Sequence, residues 1–436
     1  MAVLPPALRK RLAEPPPGPS RPGFWRSPLR GPWLTAALGT LLLGFLLVVA
    51  LTGFLSHEAY EPDLGRNAIV PADRDLDIPG LGWPDSGPSW LYAVNQGLHV
   101  TLGIVAVPLL LAKLWSVIPR LFKWPPVASP ADVLERLGLG LLVGSALFLF
   151  ATGILNAQIY YPFKFNFVVG HYYAAVVFTG ALLLHVPLQF PRLRRAYAER
   201  GVLRPLLDAE AARTPEPALA GGLAPTEPGP VTISRRGLFG LVGAAMGALA
   251  VSYAGQSIGG PLRPLAVLAP RGGGDYGDGP QDFPINKTAR TAGIAPGMVD
   301  DGYRLELAGG GRDAQLSRED LLAMRQTGAD LPIACVEGWS TTQRWDGVRV
   351  AELAALAGAP GARSVLVESL QEGGALRQVT LSGEQLADPD MLLALRVNGE
   401  DLSLDHGFPA RLIGPRLPGV RCTKWEIGRA SCRERV

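Results

Sequence analysis

Four stretches of the chain lack Asp, Glu, Lys and Arg altogether: residues 31–56, 90–112, 137–155 and 165–190. A helix that spans a bilayer needs about 20 apolar residues, and buried helices of soluble proteins are rarely this long and free of charge. A fifth uncharged run, 237–262, is richer in Gly and Ala. The pattern predicts an all-α four-helix transmembrane bundle followed by a fifth transmembrane helix. From about residue 281 the periodicity changes to short β-like runs, at 303–307, 364–369 and 391–397, with Asn398-Gly399 as a hairpin turn. Helical patterns intervene at 318–326, with Ser317 as N-cap, and at 351–357. The C-terminal part is therefore expected to be an α+β domain.

Basic residues in the short loops orient the spans. Arg9, Lys10, Arg11, Arg21, Arg26 and Arg30 place the N-terminus in the cytoplasm. The first loop holds Glu58, Glu61, Asp63, Asp73, Asp75, Asp77 and Asp85 against Arg66 and Arg74, and so lies outside. Lys113, Arg120, Lys123 and Arg136 put the second loop inside; the third has only Lys164. Arg192, Arg194, Arg195, Arg200 and Arg204 follow the fourth span, again inside. The fifth span then carries the C-terminal domain out of the cytoplasm. Organisation follows: tail 1–30, four-helix domain 31–190, linker 191–233, signal-like segment and fifth span 234–262, soluble domain 263–425, and a separate tail 426–436. The Pro/Ala/Gly-rich stretch 206–233 is expected to be flexible and extended. Ser234-Arg235-Arg236-Gly237-Leu238-Phe239 after it resembles a twin-arginine export signal, a route suited to a domain that receives its cofactor in the cytoplasm.

Composition agrees with a membrane protein carrying a soluble part: 48% of the 436 residues are hydrophobic and 18% charged, against about a quarter charged in soluble domains. Net charge is +3, without a basic block interleaved with aromatics, so nucleic acid is not an expected partner. Three cysteines cannot form a disulfide framework, and each is read singly.

Of five histidines, His99, His171 and His185 lie inside the apolar runs, where ionisable groups default to function. His171 and His185 share a helix face, about 21 Å apart along the axis. His99 and His171 fall at similar depths, about 13 and 9 Å from the outer edge. They are the expected axial ligands of a b-type haem near the outer face, with quinone or another donor as electron partner. His185 has no evident partner, and His57 beside Glu58 is read as solvated. The paired spacing also resembles the membrane cytochrome b subunits of bacterial formate dehydrogenases and hydrogenases. A weak internal repeat accompanies it: Gly44…Thr52-Gly53…Leu55 recurs as Gly144…Thr152-Gly153…Leu155, pointing to equivalent halves where helices, or a flat cofactor, approach closely.

In the C-terminal domain, Leu331-Pro332-Ile333-Ala334-Cys335-Val336-Glu337-Gly338-Trp339 resembles the active-site segment of the sulfite oxidase family of molybdopterin enzymes. His406-Gly407-Phe408-Pro409-Ala410-Arg411-Leu412 is similar to that family's pterin-phosphate segment, and Pro418-Gly419-Val420-Arg421-Cys422-Thr423-Lys424-Trp425 to the Gly…Lys-Trp segment after it. The resemblance covers roughly 281–425 and implies a molybdenum–molybdopterin cofactor. Cys335 would be the catalytic molybdenum ligand, a soft thiolate for a soft metal. Arg411 and Lys424 would hold phosphate, with Asn286, Ser369, His406 and Thr423 as further pterin contacts. Glu337 and Trp339 stand where animal and plant sulfite oxidases place arginines. That departure points away from simple sulfite chemistry and towards an oxo-transfer reductase acting on a small substrate such as a sulfoxide, with Arg344 still within reach of an anion. Glu426–Val436 departs from the family and resembles a translated sequencing adapter, so family sequence is expected to end at Trp425 and Cys432 to carry no information.

The reading is a multi-pass membrane oxidoreductase, its lipid-embedded haem domain exchanging electrons with an extracytoplasmic molybdenum site. Two alternatives stand beside it: a tethered binding module without metal, and a molybdoenzyme on a haem-free anchor.

Overall fold

A computed structural model describes residues 14–60, 78–124, 130–218, 223–272, 276, 279–309, 311–373, 377–426 and 430–432. Arg9, Lys10, Arg11 and most of the acidic first loop lie outside the described residues. The chain forms two compact units: Met1–Ala50, Leu102–Ile154 and Lys164–Ala250 in the first, and Leu51–Thr101, Leu155–Phe163 and Val251–Val436 in the second.

Six helices carry the apolar runs: α1 (Pro32–Tyr60), α2 (Leu91–Val105), α3 (Val107–Leu121), α4 (Pro130–Ala157), α5 (Phe167–Arg200) and α6 (Arg235–Ile258). Four of them are long and apolar enough to cross a membrane, and α2 with α3 makes a fifth if that bent pair is one span. The run read as 90–112 is longer than expected and bends by 42°. Pro108 is the cause: it has no N–H to give to the preceding turn. Asn166 caps α5, its Oδ1 accepting from the Val168 and Val169 amides at 3.0 and 3.2 Å.

The first unit's core contains Trp33, Leu34, Leu38, Leu42, Leu109, Leu110 and Val242. Part of the linker joins this unit, contrary to its reading as extended and flexible. Glu216 is buried and accepts from the Trp33 amide at 2.9 Å and the Leu34 amide at 3.4 Å, so a linker carboxylate caps the N-terminus of α1. Arg235 is wholly buried, 3.5 Å from Glu216, and donates to the carbonyls of Ala211 and Thr214. Proline and alanine content suggested a free chain; the buried ion pair overrides it.

The second unit is built on two five-stranded sheets. One runs β2 (Ala314–Leu316), β1 (Leu305–Ala308), β10 (Ala430–Cys432), β5 (Ser364–Glu368) and β6 (Gln378–Ser382). The other runs β3 (Thr327–Ala334), β4 (Ser340–Arg349), β7 (Leu392–Val397) and β8 (Glu400–Asp401), with β9 (Arg411–Ile413) also on β7. The expected strands, the helices α7 (Arg318–Ala323) and α8 (Val350–Leu356), and the Ser317 cap all appear. Asn398 and Gly399 turn β7 into β8 with φ of 52° and 84°, as a type I′ turn requires. The tail beyond Trp425 supplies β10, which pairs with β1 and β5.

Candidate functional site

β3 and β4 pair without interruption from Thr327↔Gly347 to Ala334↔Ser340. The five residues Cys335–Trp339 are therefore the loop of a hairpin. The Cys335 amide donates to the Trp339 carbonyl at 3.0 Å, and the Gly338 amide to the Cys335 carbonyl at 2.9 Å. Gly338 has φ +95°, a conformation that favours glycine. Cys335 is only 3% exposed, and burial, then the Glu337 charge, pushes its thiol up to about 12. As a free thiol it is inert; bound to a metal it would be a thiolate. Among the described residues no three His, Cys, Asp or Glu gather into a metal cluster. A single thiolate suits a metal that brings its remaining donors on an organic cofactor.

The other expected residues converge in the same unit. Arg411 and Lys424 face each other across an antiparallel bridge. Ser369 Oγ donates to the Lys424 carbonyl at 2.6 Å, and the Leu412 amide to the Thr423 carbonyl at 2.9 Å. Arg411 Nη1 donates to the His406 carbonyl at 3.2 Å. Gly407, at φ +116°, lets the chain pass close: a Cβ there would lie 3.1 Å from Arg411 Cβ and 3.2 Å from Lys424 Cγ. His406 stacks on Phe283 at 3.8 Å, and its Nε2 lies 3.0 Å from the Gln281 carbonyl.

Two buried cations side by side test whether a phosphate-bearing cofactor suits the residues present. Arg411 is 1% exposed, and its Nε and Nη2 have no hydrogen-bond partner among the described residues. Burial takes its guanidinium down to about 10. Lys424 is 7% exposed; burial and the Arg411 charge hold its ammonium well below the usual lysine range. Its Nζ donates to the Asp405 carbonyl at 2.9 Å and to that of Lys287. Desolvated cations with unspent donors are costly unless an anion meets them, and a phosphate offers the acceptors they need. The donor set fits. Thr423 is buried among them, while Asn286 Oδ1 accepts from its neighbour's amide, Lys287 N, at 2.9 Å.

Arg271 escaped the sequence reading, because it stands in a Gly-rich segment that matches no motif. Its Nε donates to Glu337 Oε2 at 2.7 Å, its Nη1 to the Ile285 carbonyl at 2.5 Å and its Nη2 to the Asn286 carbonyl at 3.2 Å. One guanidinium thus ties the Cys335 loop to the Asn286 segment. Glu337 also accepts from Trp339 Nε1 at 3.0 Å. Arg344 is a correction. It lies opposite Asp330 on the β3–β4 ladder and bonds that carboxylate at 3.3 Å. Its register is about 13 Å along the ladder from the Ala334↔Ser340 pair that flanks the loop, at about 3.3 Å per residue. It does not reach the Cys335 turn.

The two expected haem ligands are described each in its own unit. In the first, Thr152 Oγ1 lies 3.0 Å from His171 Nδ1, and a Cβ on Gly153 would come within 3.2 Å of His171 Cε1. In the second, Thr52 Oγ1 lies 3.5 Å from His99 Nδ1, and a Cβ on Gly53 would come within 2.7 Å of His99 Cε1. The repeated Thr-Gly pair is in each case the seat of a histidine.

Residues 292–429 match the family model of the oxidoreductase molybdopterin binding domain. Sulfite oxidase of Arabidopsis thaliana is 37% identical over 95 residues, 19% of this chain and 24% of that protein. Mitochondrial sulfite oxidase of Homo sapiens is 31% identical over 164 residues, 31% of this chain and 30% of the relative. An uncharacterized oxidoreductase of Bacillus subtilis, YuiH, is 33% identical over 114 residues, covering 26% and 56%. The chain spans less than a third of the length of these sulfite oxidases. Residues 292–429 are thus a molybdopterin-binding oxidoreductase domain with sulfite oxidase homologues.

Proposed function

We propose that the chain is a multi-pass membrane oxidoreductase that moves an oxygen atom to or from a small substrate at a molybdenum–pterin centre held by Cys335. The observation that carries this reading is the gathering of a buried hairpin thiol with the buried Arg411–Lys424 pair in one unit. Bound there, the cofactor would supply two-electron oxo transfer; the chain's own residues hold its metal by Cys335 and its phosphate by Arg411 and Lys424. Sulfoxide-type reduction is favoured over sulfite oxidation. Arg271 is the guanidinium tied to the Cys335 loop, and Glu337 neutralises it. That pair offers no net positive charge to an anion such as sulfite, whereas a neutral sulfoxide needs none.

A b-type haem in the lipid bilayer is proposed as electron carrier, with quinone or another donor as partner and His99 and His171 as candidate ligands. The support is that a Thr-Gly pair lies against each ring, with a threonine hydroxyl at Nδ1, the kind of outer contact that orients a metal-ligating histidine. The proposed topology keeps the N-terminus in the cytoplasm and the molybdenum domain outside, exported through the Arg235-Arg236 signal. The test is cofactor content of the purified full chain: molybdenum by mass spectrometry, and a reduced-minus-oxidised haem spectrum. Both signals, and molybdenum lost in Cys335→Ser, are expected. Molybdenum without haem reduces the helices to an anchor. Neither, in folded protein, leaves a tethered binding module as the better account.

A further inference from the structure

The Cys335–Trp339 loop leaves none of its carbonyls to solvent. The Cys335 and Trp339 carbonyls are used within the loop. The three between them are taken by side chains from the ends of apolar helices. Gln96 Nε2 on α2 donates to the Val336 carbonyl at 2.7 Å. Gln256 Nε2 on α6 donates to the Glu337 carbonyl at 3.2 Å. Ser257 Oγ donates to the Gly338 carbonyl, and Ser340 Oγ returns a bond to the Ser257 carbonyl at 2.7 Å. All these residues belong to the second unit.

Gln96 is itself fixed, its Oε1 accepting from Ser56 Oγ on α1 at 2.6 Å. Both glutamines are almost fully buried, so losing either donor would strand a desolvated carbonyl. The backbones approach closely: a Cβ on Gly97 would meet Ser257 Cβ at 3.0 Å, and one on Gly338 would meet Val100 Cβ at 2.9 Å. Polar side chains at the ends of otherwise apolar helices are thus spent on the loop that carries the thiol.

Helix α2 does more than hold the loop. His99 lies three residues beyond Gln96, about 4.5 Å along the axis, and its neighbour Val100 is the residue packed on Gly338. We propose that α2 is the link between the two redox centres. Gln96 positions the Cys335 loop, and the connection from Cys335 through the Val336 carbonyl and the Gln96 amide to His99 is the path for electrons. Gln256 and Ser257 position the same loop without lying on that path. One electron passes at a time, from ferrous haem iron, left ferric, to molybdenum, or in reverse; no atom or proton travels along the link. This rests on the reading of His99 as a haem ligand and Cys335 as the molybdenum ligand.

The matched variants are Gln96→Met and Gln256→Met in the full chain carrying its cofactors, each with haem and molybdenum content measured first. Two readouts follow: the Mo(V) EPR spectrum, and the rate of haem-to-molybdenum transfer after flash reduction of the haem. Both variants are expected to alter the Mo(V) spectrum, since both free a carbonyl of the loop. Only Gln96→Met is expected to slow transfer by about tenfold, the factor equivalent to about 1.4 kcal/mol. Equal transfer rates in the two variants would overturn the path, and an unchanged Mo(V) spectrum in both would overturn the positioning role. If Gln96→Met does not fold, Ser56→Ala loosens the same amide without removing it and is expected to slow transfer by a smaller factor; a wild-type rate there overturns the path. Wild-type protein with molybdenum but no haem fails the underlying reading instead, and the path with it, while the EPR comparison still decides positioning.

Discussion

Thr152 Oγ1 sits 3.0 Å from His171 Nδ1, and the glycine after that threonine leaves the imidazole room to lie against the backbone of α4. Thr52 and Gly53 repeat the arrangement around His99. The two seats differ in tightness, which makes a graded prediction. A Cβ at Gly53 would lie 2.7 Å from His99 Cε1, closer than real contacts permit, whereas at Gly153 the distance to His171 Cε1 is 3.2 Å. Gly53→Ala is expected to displace its histidine and lower haem content severalfold; Gly153→Ala is expected to keep most of the haem. Pyridine haemochrome content of both purified variants is the measurement. Equal, wild-type haem in both would show that neither seat orients an axial ligand.

The ion pair of Arg271 with Glu337 yields a second expectation. Both side chains are largely shielded and 2.7 Å apart. Removing one partner of such a pair typically costs about 3–5 kcal/mol when buried; partial exposure of this pair reduces the figure. Arg271→Gln is expected to lower molybdenum retention during purification and to shift the Mo(V) spectrum, because Glu337 loses its cation and keeps, among the described residues, only the Trp339 Nε1 donor, while the carbonyls of Ile285 and Asn286 lose the guanidinium. Wild-type metal content and spectrum would relegate Arg271 to a surface role.

Much of this site was legible in the sequence because it is carried by contiguous motifs. Cys335 was legible through the resemblance of the Leu331–Trp339 segment to a family's active-site segment, whereas the β3–β4 hairpin that carries it was not among the expected strands. Arg411 and Lys424 fall in motifs, and their pairing follows once β9 is formed. Arg271, Gln96 and Gln256 were not legible. Each acts on the loop from a distant part of the chain, and a glutamine inside an apolar run has no motif to mark it. Arg344 misled for the complementary reason: nearness in sequence to Cys335 became distance along the ladder once β4 extended.

His406 predicts a pH dependence. Burial, with the Arg411 charge adding, takes its imidazole down from the ordinary histidine range to about 3. The sign follows from proton uptake: below about 6.5 the unfolded chain binds a proton at this position that the folded chain refuses until about pH 3. The neutral ring therefore contributes stability that is fully present above about pH 6.5 and is lost as pH falls towards 3. Over that window the slope is about 1.4 kcal/mol per pH unit for one proton. His406→Gln is expected to be less stable than wild type at pH 7, having lost the stack on Phe283, yet to fall off less steeply between pH 6.5 and 4.5. Denaturant midpoints at the two pH values measure this. Parallel slopes for both proteins would assign the acid sensitivity to other groups.

The two arginines before α6 separate an export role from a structural one. Arg235 is wholly buried, pairs with Glu216 and donates to the Ala211 and Thr214 carbonyls; Arg236 is exposed. An export signal read as a linear motif should be sensitive at both positions, before the chain folds. A folded ion pair should be sensitive at one. Arg235→Gln is expected to destabilise the helical unit, since Glu216 is left buried without its cation and also caps α1 through the Trp33 and Leu34 amides. Loss of one partner of a buried pair costs about 3–5 kcal/mol. Arg236→Gln should leave stability within about 0.5 kcal/mol, as surface changes do. Thermal denaturation in detergent reads stability, and protease access to the C-terminal unit in intact cells reads export. If both variants block export while Arg235→Gln alone lowers stability, Arg235 serves both purposes; if Arg236→Gln exports normally, the pair is a structural clip and the twin-arginine reading falls.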